Sequence, residues 1–327
     1  MRRVAPFVLA ALVAGGFPSA MPEALAATRA CTPRLLVLSA FPAELGPLLA
    51  KATLTGTPVV AGKRFFVGRL GGNAVVMALT GIGLVNAKRT TRTAFRHFRC
   101  GSGRGISGVV FSGVAGGDYI GDVAVARRWT EDGKTWVRVD PAMFATARAV
   151  APTVKLARTT PAGDPACAGV DPDLVRTVSV THPPTIVLGG QGLSSDPFGG
   201  RAFPCFPGGG DVFGCAPCRA PDHQPPDVRR FVTGVAPFLD PNFFLSYFQS
   251  PSPSGHYVSQ DMETAAVARV AARNRAPFIA FRAASDGKGD PLMLPGFPFQ
   301  FFFYKQLAAD NAAATALAFL RAWARRG

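Results

Sequence analysis

Residues Arg34 to Ala40 form an unbroken apolar run, RLLVLSA, as a strand covered on both faces requires. Pro42 to Ala50 then reads as the start of a helix. Lys63–Leu70 and Asn73–Leu79 alternate in polarity around Gly71-Gly72, which predicts a hairpin. Thr80-Gly81-Ile82-Gly83 closes its second strand, and Val85 to Phe98 has helical spacing. Gly108 to Ser112 is another buried strand, ending in a glycine-rich turn over Gly113–Gly117, and Val123 to Trp129 reads as one further strand. Asp173–Val178 predicts a short helix and Thr185–Leu188 a strand.

Periodicity then fails over Gly189–His256, a stretch rich in Gly, Pro and Phe that holds three cysteines. Because a structureless loop of this length is rare inside a compact domain, it reads as a stapled insertion, lid-like, with one helix over Pro226–Gln249. Order resumes with a helix from Thr264 to Asn274, a strand over Phe278–Ala283 and a helix over Tyr304–Arg325. Strands alternating with helices predict an α/β domain, without internal repeats.

At 327 residues, 48% of them hydrophobic and 17% charged, the chain can bury a sizeable core and is not of disordered composition. The net charge of +15 comes from scattered arginines. Arg127-Arg128, Arg229-Arg230 and Arg325-Arg326 are isolated pairs without the clustered stripe of a nucleic-acid groove, so no nucleic-acid partner is expected.

The first 26 residues read as an export signal: Arg2-Arg3, an apolar run over Val4–Val13 too short to span a bilayer, and the cleavage pattern Ala24-Leu25-Ala26. The mature protein, residues 27–327, is then periplasmic or secreted, with no membrane anchor. All six cysteines lie beyond that site, which in an oxidising compartment reads as disulfides. Clustering favours bridges among Cys167, Cys205, Cys215 and Cys218, with Cys31–Cys100 as a staple to the first strand. Cys215-Ala-Pro-Cys218 lacks a second half-site, and His97, His182, His223 and His256 have no ligand spacing, so no metal is expected.

The candidate chemistry is concentrated in Ser259–Asp286, SQDMETAAVARVAARNRAPFIAFRAASD. Met262-Glu263 opens its helix and Ser285-Asp286 closes its strand, so two carboxylates on rigid elements can face one pocket. Arg282 either anchors Glu263 or solvates the sheet edge. Taken singly, Glu44 and Glu263 also fit as first-turn helix acids and Asp286 as a turn residue.

Four segments occur in the order of one family: LLVLSAFPAEL (Leu35–Leu45), VVMALTGIGLVNA (Val75–Ala87), VVFSGVAGGDYIGDVAVA (Val109–Ala126) and the Ser259–Asp286 stretch. On these the chain resembles the nucleoside phosphorylase and nucleosidase superfamily, most closely its methylthioadenosine/S-adenosylhomocysteine nucleosidase branch. The resemblance implies a three-layer α/β/α sandwich around a mixed, partly barrel-like sheet, assembled as a homodimer and acting on a small-molecule nucleoside without a cofactor. It also implies roles: Asp286 as general acid to the base, positioned by Ser285, Glu44 as activator of water, and Glu263 with Met262 at the ribose. Thr80 and Gly81 complete the implied substrate contacts.

The segment Ser39-Ala40-Phe41-Pro42 lacks the acidic-proline turn and nearby arginines of the phosphorylases, which favours water over phosphate as nucleophile. No aromatic stands at Gln191-Gly192-Leu193, where the family stacks the purine; Phe198, Phe203, Phe206 or Phe213 of the insertion, or Tyr257 just after it, can supply one. A purine nucleoside phosphorylase and a non-catalytic nucleoside-binding or storage protein are the competing readings.

Overall fold

A computed structural model of the chain describes residues 31–101, 103–161, 177–207, 209–217 and 255–326. The export signal, Cys167, Cys218 and the helix expected over Pro226–Gln249 lie outside the described residues. So does most of Asp173–Val178, whose last two residues belong to a strand, Thr177–Ser179.

The chain begins with β1 (Arg34–Ser39), α1 (Pro42–Leu49), β2 (Lys63–Leu70), β3 (Asn73–Leu79) and α2 (Leu84–His97). It continues through β4 (Ile106–Tyr119), β5 (Val123–Val125), β6 (Arg128–Thr130), β7 (Trp136–Arg138) and α3 (Pro141–Val150). The remaining elements are β8 (Ile186–Leu188), β9 (Gln191–Ser194), β10 (Ser259–Asp261), α4 (Thr264–Arg273), β11 (Phe278–Lys288) and α5 (Gly296–Ala324).

β1 lies parallel between β3 and β4, which explains why Leu35 to Leu38 are all buried. The β2–β3 hairpin turns on Gly71 and Gly72, both with positive φ, as a two-residue type I′ turn needs. The sheet runs β7-β6-β9-β10-β4-β1-β3-β2, and β11 pairs with both β4 and β5 off that path. Parallel and antiparallel pairs are mixed, and β4 serves three neighbours along its length. Helices α1, α3 and α5 pack together on one face and α2 against α4 on the other, which makes the fold a three-layer α/β/α sandwich. In α2 the buried residues Asn86, Ala87, Thr90, Thr91 and Ala94 recur at helical spacing.

Several elements differ from the pattern-based expectation. β4 does not turn at Gly113–Gly117 but runs through to Tyr119, because those glycines are where other groups press against the strand. β11 likewise continues from Ala283 to Lys288. Val123–Trp129 is broken between β5 and β6, since β5 pairs with β11 whereas β6 pairs with β7 and β9. Gln191–Ser194, which shows no alternation, is a sheet strand between β6 and β10. α5 starts at Gly296, earlier than its regular spacing suggests, with a non-helical residue at Phe297.

Disulfides join Cys31 to Cys100 and Cys205 to Cys215. No helix among the described residues is long and apolar enough to cross a membrane.

Candidate active site

Pro42 fixes the first turn of α1, and Glu44, one turn in, folds back over the helix start. Its Oε2 accepts the Ala40 N–H and its Oε1 accepts the Val114 N–H at 2.6 Å, in complete burial. Burial pushes the Glu44 carboxyl up to about 7, although Arg282 and these backbone donors oppose the shift.

Arg282 projects from the middle of β11 into the sheet interior, where an unpaired cation would be very costly. It is held by three carboxylates. Nε lies 3.0 Å from Asp261 Oδ2, Nη2 3.2 Å from Glu263 Oε2, and Nη1 3.8 Å from Glu44 Oε1. The guanidinium also sits over the Phe111 ring at 4.7 Å. Burial alone would lower its pKa, but Asp261, Glu44 and Glu263 together raise it, so it stays charged.

Asp261 does the capping work at the start of α4. Its Oδ1 accepts the N–H groups of Glu263 and Thr264, each at 3.1 Å, and the Ser194 and Thr264 hydroxyls donate to the same carboxylate. Glu263 is thereby released from helix capping. Its Oε1 accepts the Gly83 N–H at 2.8 Å, and burial raises its pKa, with Arg282 opposing and the charges of Asp261 and Glu44 adding to the rise.

On β11 the register with β4 slips between Ala284 and Asp286, so Ser285 is the extra residue of a bulge. The Ser285 hydroxyl donates to Asp286 Oδ1 at 2.8 Å, while burial raises the Asp286 pKa. Gly116 faces this carboxylate from β4, and a Cβ there would stand 2.8 Å from Asp286 Oδ2.

A cavity of about 690 Å³ is lined by Met262, Glu263, Arg282, Ser285 and Asp286. Glu44 lies just behind its wall, joined to it through Arg282 and Val114. Thr80 and Gly81 are not on the wall. The Thr80 hydroxyl donates to the Gly81 and Ser39 carbonyls, Gly81 packs on Asn86, and Ile82 takes the lining position.

The insertion contributes Ser195, Pro197 and Val212 to the same cavity, and Tyr257, which follows it directly, also lines it. Of the candidate aromatics, Phe198, Phe203 and Phe213 are buried in the core and Phe206 packs against it, whereas Tyr257 lines the cavity and stacks on Trp136 at 6.5 Å between centroids. His256 is exposed and off the wall.

Sequence patterns alone do not reveal Asp261 as a partner of Arg282, or Phe297 and Phe301 as cavity walls. An aspartate just ahead of the Thr264 helix is an N-cap signal that points to Asp261. The two phenylalanines look like core.

The family model for the phosphorylase superfamily matches residues 34–189 and 255–321. The uncharacterized protein Rv2293c of Mycobacterium tuberculosis is 45% identical over 205 residues, which are 61% of this chain and 82% of that protein. Among solved structures, the 5′-methylthioadenosine/S-adenosylhomocysteine nucleosidase of Neisseria meningitidis, in complex with methylthio-immucillin-A, aligns with a TM-score of 0.53 at 18% identity, over 88% of this chain and 98% of that one. The futalosine hydrolase of Helicobacter pylori aligns with a TM-score of 0.52 at 17% identity, over 88% and 97%. At such identities these two likenesses concern the fold.

Proposed function

Because the chain belongs to the phosphorylase superfamily, we propose that it is an exported nucleosidase that hydrolyses the N-glycosidic bond of a purine nucleoside or 5′-thionucleoside. The observation that carries this reading is one cavity wall bearing both Glu263 and Asp286, with Glu44 immediately behind it.

In this reading the ribose diol donates to the Glu263 carboxylate, an acceptor suited to two hydroxyls. Asp286, whose pKa burial raises, gives its proton to the base as the C1′–N bond breaks and its electron pair leaves with the base. Glu44 takes a proton from the attacking water, whose hydroxyl ends on C1′. Arg282 Nη1 makes no hydrogen bond among the described residues and lies beside Glu44 Oε1, where it can orient that water. Tyr257 supplies the flat surface for the base, and Phe297 and Phe301 an apolar wall.

Water is favoured over phosphate by charge. Arg282 is the sole basic side chain lining the cavity among the described residues, and three carboxylates already occupy it. Asp118 and Asp261 line the same space and oppose an incoming anion.

Export is supported by the leader pattern together with the two disulfides. A homodimer is proposed on the family resemblance, to be checked by light scattering.

The test is to incubate the purified mature protein with inosine, adenosine and methylthioadenosine, with and without phosphate. Free base without phosphate is the expected result. Base released only with phosphate would make the protein a phosphorylase, and ligand retained without turnover would make it a binding protein.

A further inference from the structure

A second cavity, of about 540 Å³, opens where the first residues of β6 and β9 meet α3. Its character is opposite to that of the first. Arg127, Arg128, Arg138 and Arg148 line it, together with Phe144 and Gln191. These arginines come from the β5–β6 link, β6, β7 and α3, so the fold, rather than a run of sequence, brings them together. Only Arg127-Arg128 is visible as a pair in the chain.

None of the four guanidiniums is paired with a carboxylate among the described residues. The nearby acids are engaged elsewhere. Asp140 caps α3 by accepting the Ala142 and Met143 N–H groups, and Glu131 and Asp132 pair with Arg269. Four like charges around one concavity repel each other, an arrangement that an anion relieves.

Two of the four are already oriented. The Arg127 guanidinium lies over the Phe144 ring at 4.3 Å and that of Arg128 over Trp136 at 4.2 Å. Stacking holds the guanidinium while leaving its edge N–H donors free, so less side-chain freedom is lost when an anion takes them. A lone carboxylate brings a single charge. A phosphate group carries about −1.5 to −2 and three acceptor oxygens, so a diphosphate matches four guanidiniums from four directions far better.

We propose that this arginine-lined cleft is a binding site for a diphosphoryl group, separate from the nucleoside cavity. The proposal does not depend on the nucleosidase reading, since its readout is binding rather than turnover. The group can belong to a soluble molecule or to a lipid headgroup, and the test separates the two.

Mature protein is titrated calorimetrically with inorganic pyrophosphate at physiological salt, and in parallel pelleted with phosphatidylcholine vesicles that carry a polyprenyl diphosphate. The same is done for the double variant Arg138→Ser/Arg148→Ser, whose positions are exposed and do not line the first cavity. Saturable pyrophosphate binding, weakened at least about tenfold in the variant, is the expected result for a soluble ligand; a tenfold change corresponds to about 1.4 kcal/mol. Vesicle pelleting lost in the variant, without pyrophosphate binding, would place the phosphoryl group on a lipid. Binding of neither probe, or equal binding by a variant whose melting temperature is unchanged, would overturn the proposal and leave a solvated arginine cluster.

Discussion

Gly113 of β4 runs so close to Glu44 that any side chain at this position would occupy the space of the Glu44 carboxylate, and a Cβ would also stand 2.6 Å from Arg282 Nη1. The glycine is therefore a condition for the pairing of Glu44 with Arg282. Gly113→Ala is expected to displace both groups, cutting kcat/KM by two orders of magnitude or more while costing about 1–3 kcal/mol of stability through overpacking. Kinetics with a thermal melt would check this, and an active Gly113→Ala protein would remove Glu44 from the reaction.

Asp286→Asn keeps the shape of the acid but cannot give up a carboxyl proton. Loss of a positioned general acid costs about 10²–10⁴-fold in rate. Substrate binding should change little, because Glu263 remains. Unchanged turnover in this variant would show that the base leaves without help from Asp286.

The pH dependence follows from burial. In the proposed role Glu44 must be ionised, and its carboxyl sits at about 7, so kcat/KM should fall below that pH. The raised pKa of Glu263 acts in the same direction. Asp286 must be protonated in this role, and burial shifts its pKa in the direction that favours it; a limb that Asp286 sets should be absent in Asp286→Asn. A flat profile from pH 5 to 8 would contradict the assignment of Glu44.

Stability should move the opposite way. The folded state holds the Glu44 proton more tightly than the unfolded chain does, since its pKa rises from 4.5 to about 7. That contribution is complete below the unfolded value and is lost as pH climbs through the folded one. Glu263 shifts in the same sense. Melting temperatures should therefore decline between mildly acidic and neutral pH, and the decline should be reduced in Glu44→Gln.

Arg282→Gln would leave Glu44, Asp261 and Glu263 buried without their shared cation. Breaking a buried ion pair typically costs about 3–5 kcal/mol. Any folded protein should also show its acid limb displaced to higher pH, a shift that loss of packing alone would not produce.

Much of the frame was readable from residue pattern. β1, the β2–β3 hairpin and α2 stand within a residue or so of their apolar runs, because each buries one consistent set of positions. The ends of β4 and β11 were not, and the reason is chemical. Gly113, Gly116 and Gly117 look like a turn, yet they are glycine because Glu44, Arg282, Asp286 and Ala284 press on the strand. The pocket acid Glu263 was visible from its place at a helix start and Asp286 from the close of the apolar run of β11, although that strand continues past it to Lys288. The convergence of Asp261 and Glu44 on Arg282 was not, since it joins β10, α1 and β11 through side chains that no local spacing relates. Tyr257 could be named only as one of five candidate aromatics in and just after the insertion, because the reach of a loop is not written in its periodicity.

The three carboxylates around Arg282 outnumber it, and they have a consequence for recognition. At rest burial favours the protonated carboxyls of Glu44 and Glu263, and at Glu263 the neighbouring charges of Asp261 and Glu44 add to that preference. A ribose parting from its base becomes briefly cationic and can displace those protons by satisfying the charge itself. On the proposed chemistry the pocket is therefore electrically unfinished until the reaction is half done. A positively charged ring in the place of the sugar should be held more tightly than the neutral nucleoside it mimics.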